Sequence, residues 1–207
     1  MIFIRLITGL YQEIHGIISE QIYDPKMKEI FQSTTNMNQS WWAKKSIWTM
    51  NEQRPNARTG VIGWKQEFLM ISKYEKYDSN RSNQQLIDQM LTWFDEGINF
   101  GTIFFSEPGL TGQQTGPYSE QTKAKVRECD EILGYLLDLI ERNIKLKNNL
   151  HLILTSNHGL EQINATNPPI YIDSFINMTK IQAFGTETLL NIFVNARKMN
   201  LINSINQ

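Results

Sequence analysis

Cysteine occurs once in this chain of 207 residues and histidine three times. A lone Cys129 excludes an intrachain disulfide and a thiolate zinc site. With His15, His151 and His158 as the full histidine complement, and no Cys or Asp placed to help them, a histidine-built zinc cage has too few ligands. An excess of charge of either sign is lacking as well. The 20 basic and 21 acidic residues leave a formal net charge of -1, so no basic surface announces nucleic acid and no polybasic run announces a membrane. No apolar stretch approaches the roughly 20 residues needed to span a bilayer. The opening MIFIRLITGLY is broken by Arg5 and carries neither a leading basic residue nor a small-residue cleavage pattern, so it does not read as a signal peptide. What is present is a hydrophobic content of 41%, with 11% aromatic residues, enough for the core of one domain or for most of a larger one.

The apolar residues are organised. In QQLIDQMLTWFD (84–95), Leu86, Met90, Leu91, Trp93 and Phe94 recur at helical spacing. FGTIFFS, Phe100 to Ser106, follows as a strand, and EPGLTGQQTGP (107–117) reads as a loop fixed by three glycines and two prolines. Residues 119–143 predict the clearest helix, with Val126, Cys129, Ile132, Leu133, Leu136, Leu137 and Ile140 on one face. Cys129 on that face reads as a small core residue rather than a reactive thiol. His151 to Thr155, HLILT, then reads as a buried strand. Strand, loop, long helix, strand is a βαβ crossover, which predicts an α/β fold whose mostly parallel sheet is flanked by helices. Loops past the carboxyl ends of such strands hold ligands. This reading sets residues 107–117 beside Ser156-Asn157-His158-Gly159, and residues 181–207 fit one more strand and a helix.

In this order, TGLYQEIHGI (Thr8 to Ile17), IYDPKMKEIF (Ile22 to Phe31), WWAKKSIW (Trp41 to Trp48), the Glu107-Pro108 and Gly116-Pro117 ends of the glycine loop, and Ser156 to Gly159 resemble the nucleotide pyrophosphatase/phosphodiesterase family of the alkaline phosphatase superfamily. The resemblance covers residues 1 to about 180 and implies one partial catalytic domain over 1–207, an alkaline phosphatase-like core incomplete at both ends. It further implies two zinc ions roughly 4 Å apart that clamp a phosphodiester while a threonine attacks in line.

Carried over position by position, that machinery is depleted. The family's first metal-binding aspartate and its threonine nucleophile fall upstream of TGLY, and a final histidine falls beyond the carboxyl end, so no catalytic residue is expected here. Ser19 and Glu20 stand where the family has an aspartate and a phosphate-holding asparagine. A carboxylate facing a phosphate repels it. Gly109 and Gln113 stand for an aspartate and a histidine that bind one zinc, and Asn157-His158 stands for the Asp-His pair of the other. His158 is the one expected ligand kept, and it reads as vestigial. Two neutral groups in place of aspartates leave two cations poorly compensated, and Gly109 has no side chain to offer. No cofactor is therefore expected.

The binding wall is better kept. Trp64 and Tyr74 match family aromatics that line the nucleobase pocket, and Phe104 stands where a tyrosine is usual, while Trp64-Lys65-Gln66 replaces a Trp-Pro-Gly turn. An aromatic slot stacks a base for about 1–3 kcal/mol without a metal. Trp and Tyr are also common packing residues, so a core role competes with this one. Glu107 matches an acid of the site wall, and His15 a turn histidine with a structural hydrogen bond. His151 reads as a satisfied sheet residue.

Asn-x-Ser/Thr sequons at Asn38, Asn80, Asn164 and Asn177, with the family's habit of export, point to an extracellular or secretory location. Three readings follow. One is a degenerate phosphodiesterase that at most binds a nucleotide, phosphodiester or protein partner weakly. Another is an active zinc-dependent hydrolase of nucleotide or phospholipid-type phosphodiesters. The last is a fragment of a longer product without a function of its own. A fragment lacking the family's first strand would leave a neighbouring strand without its partner, and so be marginal or aggregation-prone.

Overall fold

A computed structural model describes residues 2–32, 41, 44–64, 71–76, 78, 80–164, 166–168, 170–186 and 189–194. In chain order its elements begin with α1 (Ile2–Thr8), α2 (Gln12–His15), β1 (Gln21–Asp24), β2 (Glu29–Gln32), α3 (Ile47–Glu52) and β3 (Thr59–Ile62). They continue with β4 (Lys73–Glu75), α4 (Asn83–Asp95), β5 (Phe100–Ile103), α5 (Gly109–Thr115), α6 (Glu120–Arg142), α7 (Ile144–Asn149), β6 (Ile181–Thr186) and β7 (Leu189–Val194). The chain forms two compact units, one from residues 3–44 and 164–207, the other from residues 45–163.

The second unit contains a parallel sheet of order β4-β3-β5. Its middle strand, Thr59-Gly60-Val61-Ile62, is buried along its whole length, as expected of a parallel strand covered on both faces. Helix α4 links β4 to β5 and starts at a capping box: Ser82 Oγ accepts from the Gln85 N–H, and the Gln85 side chain accepts from the Ser82 N–H. It lays Leu86, Met90 and Trp93 against Ile62 and Ile98. Gly60 and Gly101 permit this approach, since a methyl at Gly60 would lie 2.7 Å from the Trp93 ring and one at Gly101 2.5 Å from Met90 Sδ. Beside β3, Asn51 is buried and its Nδ2 donates to Thr59 Oγ1 (2.9 Å) and to Asn99 Oδ1 (3.0 Å), which ties α3 to the turn before β5.

In the first unit, β1 and β2 form an antiparallel hairpin with Ile22 opposite Phe31, and β6 and β7 form another. Tyr23 stacks on Phe184 at 5.1 Å, and Gly185 N donates to Gln21 Oε1, so the hairpins meet. Ile4, Ile7, Ile17, Ile22, Phe31 and Trp41 are buried there.

Four expectations are corrected. The βαβ crossover is β4-α4-β5, and α6 is not followed by a strand: residues 151–155 carry no ladder, and Ile153 and Leu154 are 85% and 75% exposed. Among the described residues no backbone group pairs with this run, and an extended apolar sequence without a neighbouring strand has no ladder to join. The apolar face of α6 is only half covered among the described residues, Val126 and Leu137 standing exposed. His151 is exposed rather than satisfied in a sheet. The glycine-rich stretch 107–117 is not all loop, because α5 forms within it once Glu107 Oε2 accepts from the Thr111 N–H at the helix start. Residues 181–194 are a hairpin instead of a strand and a helix. The positions after it, 195–207, lie outside the described residues.

Candidate functional site

Of the site residues in the second unit, Trp64 and Phe104 sit just past the carboxyl ends of β3 and β5, where the backbone leaves the sheet, and Tyr74 lies in β4. The aromatic set is held by the sheet itself. Gly63 N donates to Glu75 O (3.0 Å) and Phe104 N to Ile62 O (3.0 Å), so three chain segments remain in register one residue beyond β3. Gly63 turns with φ +77, a left-handed conformation, and a methyl there would lie 2.6 Å from the Phe104 carbonyl oxygen. Only glycine fits both demands. The turn delivers Trp64 against Phe104, ring centroids 5.5 Å apart and tilted by 51°. Tyr74 Oη donates to the Trp64 carbonyl oxygen at 3.3 Å. The three aromatics expected from the sequence are therefore brought together. Sequence reasoning missed Trp48, which is buried in α3 and meets Trp64 edge-on at 5.5 Å. Its helix lies far along the chain from β5, and nothing local marks it as backing for Trp64. Trp64 itself is half-buried. Lys65 and Gln66 lie outside the described residues.

The second set surrounds the loop 156–159. Ser156 Oγ donates to the His158 carbonyl (2.7 Å), and the Asn157 Oδ1 accepts from the His158 N–H (3.0 Å). His158 Nδ1 lies 2.7 Å from the Gly159 carbonyl oxygen. A carbonyl only accepts, so Nδ1 carries a proton and donates it to the chain's own backbone. Asn157, by contrast, has turned its oxygen back onto the chain. Downstream of this loop, Gly112 in α5 packs against Leu160, and a methyl at Gly116 would meet Gln162 Oε1 at 2.8 Å, so the glycine-rich stretch lies beside Leu160 and Gln162. Gly109 and Gln113 both belong to α5. Cys129 is half-buried with its thiol toward the Glu107 carbonyl (3.6 Å), and burial first, then Glu107 and Glu128, pushes its pKa up.

Two zinc ions do not fit this donor set. Among the described residues no group of three His, Cys, Asp or Glu side chains is placed to hold a metal ion. At the positions equivalent to metal ligands the side chains are one imidazole and neutral amides, which leave a dication's charge uncompensated. Ser19, buried, and Glu20, exposed, belong to the first unit.

The model of the type I phosphodiesterase/nucleotide pyrophosphatase family matches residues 5–206. The chain belongs to that family. Among its relatives, human bis(5'-adenosyl)-triphosphatase ENPP4 is 26% identical over 199 residues, covering 90% of this chain and 42% of the relative. Rat ectonucleotide pyrophosphatase/phosphodiesterase family member 7 is 32% identical over 175 residues, covering 77% of this chain and 39% of the relative. The chain thus spans about two fifths of the length of these relatives. A solved murine ectonucleotide pyrophosphatase/phosphodiesterase 5, in an inactive form in complex with AMP, superposes with TM-score 0.81 at 26% identity, over 94% of this chain and 54% of its own. The fold is that of the phosphodiesterase family: an α/β core in which a parallel sheet is flanked by helices, present here in part.

Proposed function

We propose that this chain is a catalytically degenerate phosphodiesterase-family domain, which binds a nucleotide or related phosphodiester weakly through its aromatic edge and does not hydrolyse it. The observation that carries this reading is a contrast between two sets of residues in the second unit. Trp64 is fixed by Gly63, backed by Trp48 and flanked by Phe104 and Tyr74, whereas the positions equivalent to metal ligands offer His158 and three residues without charge, Asn157, Gly109 and Gln113. Base stacking needs only the first of these. In-line displacement at phosphorus needs the second, because the metals neutralise the charge that develops on the reacting oxygens. The AMP held by the murine relative supports a nucleotide as the ligand class. An extracellular or secretory setting fits relatives that are themselves ectonucleotide enzymes. No described helix is long and apolar enough to cross a membrane.

Calorimetric titration with AMP tests the reading. Trp64→Ala should weaken binding by roughly 5- to 150-fold, the equivalent of about 1–3 kcal/mol for one stacked base. Gln113→Ala should leave the affinity unchanged. Equal affinity in Trp64→Ala and the parent, or nitrophenol release from a thymidine monophosphate ester, would overturn it.

A further inference from the structure

Three sequons have both their asparagine and their hydroxyl residue among the described residues, and the hydrogen bonds of those residues differ in kind. At Asn164 the Oδ1 accepts from the Thr166 backbone N–H (3.0 Å) and from the Thr166 hydroxyl (2.7 Å). At Asn177 the same two bonds recur, from the Thr179 N–H (3.0 Å) and the Thr179 hydroxyl (2.7 Å). Both asparagines are exposed. In each turn the carboxamide oxygen is fully occupied and the hydroxyl of the third residue is its donor, so the NH2 group is presented outward, with no protein partner among the described residues. Asn80 is the opposite case. Its Nδ2 donates to Asp78 Oδ1 (3.0 Å), and the hydroxyl of its third residue, Ser82, accepts from the Gln85 N–H as the cap of α4. The two functional groups of that sequon are both engaged elsewhere.

We infer that Asn164 and Asn177 are N-glycosylation sites and that Asn80 is not. The chemistry is transfer of an oligosaccharide from an oligosaccharyl pyrophosphate donor. The Asn Nδ2 forms a bond to the anomeric carbon, the bond from that carbon to the pyrophosphate oxygen breaks, the electron pair leaves with the pyrophosphate, and one amide proton passes to a base. The reacting nitrogen must be free of other acceptors, and a hydroxyl on the carboxamide oxygen orients the group without occupying that nitrogen. Every hydrogen bond that separates the three sequons spans two or three residues, so these preferences are encoded locally and can form while the chain is still being made.

The test is expression of the full chain behind a cleavable secretion leader in eukaryotic cells, with secreted and retained material analysed together so that a poorly folding product is still read. Enzymatic removal of N-glycans in heavy-oxygen water, followed by peptide mass spectrometry, should label Asn164 and Asn177 and leave Asn80 unlabelled. Thr166→Ala and Thr179→Ala should each abolish one label, while Thr166→Ser and Thr179→Ser keep it. Asp78→Ala, which frees Asn80 Nδ2, should raise occupancy at Asn80 above that of the parent. Label on Asn80 of the parent at an occupancy matching the other two, or no label on Asn164 and Asn177, would overturn the inference.

Discussion

Replacing Gly63 with alanine tests how the aromatic edge is built. Two costs arise at this position and they can be separated. The first is conformational, because φ +77 is left-handed and holding a non-glycine residue there costs about 1–2 kcal/mol. The second is steric: the new methyl would lie 2.6 Å from the Phe104 carbonyl oxygen, a backbone atom that moves only if β3 and β5 separate at their ends. Separation strains the Phe104 N–H to Ile62 bond and the Gly63 N–H to Glu75 bond, at about 1 kcal/mol each. Gly63→Ala should therefore lose about 3–4 kcal/mol in all. Gly97→Ala supplies the comparison within the same unit, with φ +98 and no atom nearer than Arg58 Nη1 at 4.0 Å, so it should bear the conformational cost alone. In urea, with a slope of about 1–3 kcal/mol/M, the Gly63 variant should unfold about 1 M earlier than the Gly97 variant. Tryptophan emission is the natural probe because Trp48 and Trp64 lie at the disturbed place. Equal midpoints for the two variants would refute the close approach of strand and turn on which the site's geometry rests.

Other consequences follow from buried polar groups. His15 is buried, and its Nδ1 accepts from the Ile17 N–H at 3.1 Å, so it is neutral in the fold with the proton on Nε2. Burial first, then the positive charge of the amino terminus and Arg5, lowers its pKa against a smaller opposing effect of Glu13. A histidine whose folded pKa lies below the unfolded value of about 6.5 stabilises the fold above that pH and costs stability as the pH falls through it. The urea midpoint of the parent should thus fall more steeply between about pH 7 and 5 than that of His15→Gln, and parallel declines would contradict the assignment. Asn51→Leu takes from the buried Thr59 and the exposed Asn99 the donor they share and should cost about 1–2 kcal/mol, whereas a change below about 0.5 kcal/mol would show that Asn51 is not a bridge.

Much of the second unit was legible in the sequence because its signals are local. The spacing of Leu86, Met90 and Trp93 and the Ser82 to Gln85 box define α4 without reference to anything else, and the long amphipathic repeat does the same for α6. Trp64, singled out from the sequence, does contact both Tyr74 and Phe104. What failed depended on neighbours. The apolar pattern of 151–155 is that of a strand, yet a strand exists only with a partner, and the pattern says nothing about one. Residues 109–115 carry two glycines and still form a helix, since Glu107 caps the start and Gly112 makes room for Leu160. Trp48 escaped notice because its role depends on packing between α3 and the turn after β3. The folding of Asn157 Oδ1 onto the His158 N–H was not legible, because it depends on the local turn of the backbone.

The central claim is that this member of the phosphodiesterase family keeps a nucleotide-facing aromatic edge without a working metal centre. Its most direct test is the zinc content of the purified, dialysed protein by elemental analysis, with hydrolysis of the thymidine monophosphate nitrophenyl ester measured in the same sample. The account predicts zinc well below one ion per chain and no turnover. Two zinc ions per chain with ester hydrolysis would contradict it.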